Sequence, residues 1–176
     1  MIPEIDTQLA AVLKSLTDNV LPAVDGSNPM AAEQIQLCLA TLGLIKANLP
    51  QLHRYLRRDL ETNVALAKAL KQVADTAGAA PNLIQPAIDA SVQALADPEN
   101  GATEIEQQVR SLKEAIIELI AATRGSKVES DVAAIIIKAQ EIVILRNRAW
   151  TVGMGFEPDT KQIPPLKQLL TRNSRP

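Results

Sequence analysis

The chain has 176 residues, 47% of them hydrophobic but only three aromatic (Tyr55, Trp150 and Phe156), and 18 basic against 20 acidic side chains leave a net charge of −2. A chain of that length buries roughly 70% of its unfolded surface, enough for a core without metal or disulfide support, and a core of Leu, Ile, Val and Ala suits helices better than sheets. The charge balance argues against nucleic acid, which needs a basic stripe, and the single cysteine, Cys38, excludes an intrachain disulfide.

The first residues, Met1-Ile2-Pro3-Glu4-Ile5-Asp6, carry acids where a signal peptide carries bases. The most apolar stretch, 133–145, is interrupted by Lys138, Gln140 and Glu141 and is shorter than the ~20 residues of a membrane span. The expectation is a cytoplasmic protein with no membrane partner.

Apolar residues then recur at three- and four-residue spacing, with Gly or Pro between the runs. A first helix is predicted over 3–20, with Ile5, Leu9, Val12, Leu13, Leu16 and Val20 on one stripe and Pro22 just behind. The loop Asp25-Gly26-Ser27-Asn28 leads to Pro29, a favourable first-turn residue. The second helix carries Ile35, Cys38, Leu39, Leu42, Ile45 and Leu49 and ends near Pro50, which disfavours helical geometry in the residue before it. Pro50 equally suits the start of a third helix, whose seam is Leu52, Leu56, Leu60, Val64, Ala67, Leu70 and Val73. Hairpin and kinked rod are both open.

A shorter fourth helix is predicted over 81–95, before the turn Asp97-Pro98-Glu99-Asn100-Gly101. Thr103 with Glu106 reads as a capping box opening the fifth helix, whose stripe is Ile105, Val109, Leu112, Ile116, Leu119 and Ile120. The sixth opens near Ser130-Asp131 and runs through Val132, Ile135, Ile136, Ala139, Ile142 and Val143 toward Trp150. Gly153 and Gly155 break it. The predicted fold is all-α: a helical bundle of five to six helices over 1–152, then an irregular, flexible tail over 153–176 with a short helical segment.

Stepping 100° per residue sets Leu37 and Leu44 away from the main stripe of the second helix, and Ile137 and Ile144 away from that of the sixth. A helix apolar on two sides is either central in its bundle or paired with another chain, so these four are candidate interface residues.

Chemistry-bearing groups are few. His53 is the only histidine, which excludes His-rich metal sites, and no metal or cofactor is implied. Helical geometry separates Cys38 from His53 by about 15 Å along the second helix, so the cysteine reads as a buried small hydrophobe. Glu114 and Glu118 fall on an outward face without further ligands. Arg54, Arg57 and Arg58 are a candidate anion clamp. Their position opposite the Leu52/Leu56/Leu60 seam equally describes a solvated face, with Arg57 and Glu61 as an i,i+4 pair.

Asp59 sits at the edge of the apolar stripe and needs a partner there. Arg146 and Trp150 continue the apolar stripe of the sixth helix past Val143. Either the seam ends there, with Arg146 reaching water and Trp150 capping the core, or Arg146, Asp59 and Trp150 line a pocket or partner surface.

The segments Asn19-Val20-Leu21-Pro22-Ala23-Val24-Asp25-Gly26 and Ala40-Thr41-Leu42-Gly43-Leu44-Ile45-Lys46 resemble an uncharacterised family of small helical proteins encoded beside aminoglycoside-phosphotransferase-like kinases and acyl-CoA dehydrogenases. The resemblance implies a setting in acyl-CoA metabolism and a kinase-like or acyl-CoA dehydrogenase partner. It transfers no catalytic residue.

Two functions are therefore expected. One is a non-catalytic accessory protein that forms a homo-oligomer or docks on an enzyme. The other is a binder of an acyl or other apolar anion, anchored by Arg146 or by the Arg54, Arg57 and Arg58 group. The thin acid/base inventory argues against an enzyme.

Overall fold

The computed structural model describes residues 4–78 and 81–171, so the predicted first helical residue, Pro3, and the last five residues of the tail lie outside the described residues. The fold is all-α, with six long helices and no strand among the described residues. In chain order these are α1 (Ile5–Ser15), α2 (Pro29–Asn48), α3 (Leu52–Thr76), α4 (Ile84–Ala96), α5 (Ala102–Ala122) and α6 (Glu129–Thr151), followed by the single turn α7 (Leu166–Leu169). None of them is long and apolar enough to cross a membrane. The chain divides into two compact units, residues 4–51 with Arg148–Pro165 and Leu52–Asn147 with residues 166–171.

The second unit holds the core. α3, α4 and α5 pack on one another, and the aliphatic seams predicted for α3 and α5 meet there. Leu60, Ala67 and Leu70 of α3 and Ile105, Leu112 and Leu119 of α5 are fully buried. Ile84 and Ile88 come in from α4, and α6 adds Val132 with Ile135, Ile136 and Ala139 at its margin. Burying an aliphatic side chain contributes about 1.5 to 3 kcal/mol, so the stability of this unit rests on these seams. Gly125, at φ +69°, makes the left-handed turn between α5 and α6, and its N–H donates to the Glu129 carboxylate at 2.9 Å. Leu169 and Leu170 of the C-terminal segment are also buried.

α5 begins earlier than expected. Its N-cap is Gly101, with no side-chain cap, and Thr103 lies inside the first turn. Glu106 is therefore free of capping and pairs with Arg110 at 2.6 Å, one turn further along.

The first unit is built differently. α1 gives way at Leu16–Val20 to a π-helical turn and at Leu21–Ala23 to a 3-10 turn, which holds Pro22, a residue with no N–H for the α-helical ladder. Asp25 accepts from the Ser27 N–H (2.9 Å), and Asn28 caps α2 by accepting from the Ala31 N–H (3.1 Å), with Pro29 at the first position. A 3-10 turn, Leu49–Gln51, separates α2 from α3.

Neither α1 nor α2 contains a buried residue, which corrects the expectation that both carry core stripes. Ile5, Val12 and Val20 on the predicted α1 stripe are exposed, as is Ile45 on that of α2. α2 packs on α1, on the turns at residues 16–23 and 49–51 and on the turn Val152–Met154, and these neighbours leave part of its circumference exposed.

Candidate functional site

The out-of-place residues of the α3 and α6 seams find each other. Arg146 is 1% exposed, so the expectation that its head reaches water is corrected. Its guanidinium meets Asp59 at 3.3 Å, donates to the Thr62 hydroxyl at 3.0 Å and to the Arg58 carbonyl at 3.2 Å, and stands over the Tyr55 ring with 5.7 Å between its carbon and the ring centre. Lys113 of α5 approaches the other Asp59 oxygen at 2.9 Å. Tyr55 donates its hydroxyl to Asn147.

Burial pushes the Arg146 guanidinium below its ordinary value, opposed chiefly by the Asp59 charge. Burial also raises the Tyr55 phenol, with Asp59 adding to the rise, so Tyr55 stays a donor. Arg146 Nε is buried without an acceptor. Because these contacts occupy Asp59 and both terminal nitrogens of Arg146, the cluster ties α6 and α5 to α3. Chemically it is a structural ion-pair network.

The three arginines at the start of α3 line an open, mostly polar cleft of 370 Å3 with His53, Glu61 and Leu170. Arg58, not Arg57, pairs with Glu61, at i,i+3 spacing instead of the expected i,i+4. Arg58 also donates to the Thr171 carbonyl, and Arg57 donates to the Leu95 carbonyl at the end of α4. His53 Nε2 donates to the Asn100 carbonyl at 3.0 Å. The guanidiniums of Arg57 and Arg58 thus fasten the ends of neighbouring segments, while Arg54 remains exposed.

Trp150 belongs to the first unit, where it lines a largely apolar crevice of 300 Å3 with Leu44, Asn48 and Gly153. The Asn48 amide donates to the Trp150 carbonyl at 2.7 Å, and Leu44 packs at Gly153. Arg148 and Glu157 close the same unit at 2.7 Å, and that hydrogen bond holds the Glu157 carboxyl below its usual range.

Of the four candidate interface residues, Leu37, Ile137 and Ile144 are exposed and Leu44 is half-buried. Cys38 is exposed, correcting its reading as a buried hydrophobe. It joins Met30, Leu37 and Ile45 on an uncovered apolar stripe of α2; these three side chains are 71%, 37% and 44% exposed. Sequence reasoning missed this stripe because Cys38 and Ile45 fit the helical period of a core face, and nothing in the period tells which face is covered. It also missed Lys113, whose pairing with Asp59 spans 54 positions.

Among the described residues no group of three potential metal ligands converges. Comparison with protein-family models, characterised proteins and solved structures finds no match for the chain.

Proposed function

We propose that the chain is a non-catalytic interaction protein: the second unit is a stable scaffold and the first carries an apolar helix that another protein covers. One observation carries this reading. α2 is 20 residues long, its only charged residues are Glu33 and Lys46, and none of its residues is buried. A helix apolar on most of its circumference is stable in water only where something covers it, and uncovered apolar patches mark association surfaces. The arginine, aspartate and histidine contacts support the same reading, because they join structural segments. The partner is a second copy or an enzyme, the latter in keeping with the resemblance to proteins encoded beside kinases and acyl-CoA dehydrogenases.

A binder of an acyl anion has less support. Arg146 is committed to Asp59, and the apolar crevice beside Trp150 has no charged lining residue to meet a carboxylate.

The double variant Leu37→Lys/Ile45→Lys tests the proposal. The expected result is a melting temperature equal to that of the parent, with assemblies seen by native mass spectrometry of the parent lost in the variant. A variant that melts several degrees lower yet keeps its mass would place both residues in a folded core and end this reading.

A further inference from the structure

Resting on the reading of α2 as an association surface, we infer that its occupant is a second copy of the same helix, antiparallel across a two-fold axis between Leu37 and Cys38. The exposed stripe consists of Met30, Gln34, Leu37, Cys38, Thr41 and Ile45. At 100° per residue these six fall within about 100° of the helix circumference, the width of one packing face. The stripe holds no charge. Lys46 projects to the other side, where Asp6 of α1 lies 3.5 Å away.

The order of the stripe is self-complementary. In an antiparallel two-fold pair centred between Leu37 and Cys38, Met30 faces Ile45 of the partner, Gln34 faces Thr41, and Leu37 faces Cys38. Apolar groups meet apolar groups, and the one amide meets the one hydroxyl. Sliding the partner by one helical turn sets Gln34 against Leu37 in one direction and against Ile45 in the other. Either shift leaves a covered amide without a partner, at a cost of about 1 to 3 kcal/mol.

A single polar pair that selects a register is the role buried polar residues play in coiled coils. The isologous arrangement closes on itself, so the association stops at two copies. Six residues a side is far below the ~20 to 30 of a standard interface, so the dimer is weak and forms in the micromolar range.

Cys38 lies half a residue from the axis, so the two copies of it are offset by about 1.5 Å along helices some 8 to 10 Å apart. As the chain's only cysteine it is a built-in reporter: a short bis-maleimide should join two chains there.

The decisive experiment is a charge exchange read by sedimentation velocity over the micromolar range. Met30→Glu and Ile45→Lys are each expected to weaken the dimer by about tenfold or more, because each sets a charge against an apolar side chain. Met30→Glu/Ile45→Lys sets Glu against Lys in both symmetry-related pairs and should restore the parent's dissociation constant to within a few fold. The bis-maleimide should cross-link the parent through Cys38 in proportion to the dimer fraction. A parent that is dimeric but neither cross-linked nor rescued by the double variant overturns the α2 pairing while leaving the wider reading as an interaction protein intact. A parent that is monomeric throughout the range overturns the pairing. If in addition Met30→Glu and Ile45→Lys melt lower than the parent, the wider reading falls with it.

Discussion

Arg146 stands on an α6 face that it shares with the aliphatic Val132, Ile136, Ala139 and Val143, and its full burial makes Asp59 the most consequential polar residue of the second unit. The two partners are not equivalent. Without Asp59, Arg146 stays buried with no carboxylate in contact, whereas without Arg146, Asp59 still has Lys113 at 2.9 Å. Removing one side of a buried pair costs about 3 to 5 kcal/mol when the remaining charge is uncompensated. Asp59→Leu is therefore expected to lose about that much stability, and Arg146→Met about half of it. The double variant should lie closer to the parent than Asp59→Leu does, since it removes both charges together. Urea unfolding midpoints measure all three. An Arg146→Met variant that is the less stable of the two single variants contradicts this order.

At the scale of elements, two glycines separate turn chemistry from packing. Gly125 holds φ +69° between α5 and α6, where a Cβ is strained whatever the space around it, so Gly125→Ala should cost about 1 to 2 kcal/mol. Gly43 lies inside α2, where a Cβ would meet nothing within 4 Å. Gly43→Ala should strengthen the helix by about 0.5 to 1 kcal/mol, seen as a later loss of far-ultraviolet ellipticity in denaturant. A Gly43→Ala variant that loses stability would mean that another surface already packs on that point.

The same contrast explains what was legible in the sequence. α3 and α5 could be read nearly residue by residue because their 3.6-residue seams are the core, and Asp59 announced its need for a partner by interrupting one of them. α2 was legible as a helix but not as an uncovered one, because Cys38 and Ile45 keep helical spacing whether or not a neighbour exists. The start of α5 was misread because Thr103 and Glu106 satisfy the spacing of a capping box, while the chain begins the helix after Gly101 instead. Lys113 left no trace, since a contact across 54 positions has no local signature.

For the whole molecule, the consequence is uneven stability. α3 and α5 keep their amides behind a shared aliphatic core, whereas α1 and α2 bury no residue, so opening them exposes little additional apolar surface. Local opening free energy follows buried contact, which predicts slow amide exchange near the global limit in α3 and α5 and much faster exchange in α1 and α2. A second copy on α2 alters only one side of that contrast. Mass action then protects the α2 amides by an amount that grows with protein concentration, because association stabilises only the state in which the helix is formed. Hydrogen exchange followed by mass spectrometry at low and high micromolar concentration should therefore slow the 29–48 peptides while leaving those of α3 and α5 unchanged. Protection that is equal in both units at the lower concentration would mean that the two unfold as one cooperative body. Protection of α2 that ignores concentration would mean that its stability comes from within the chain.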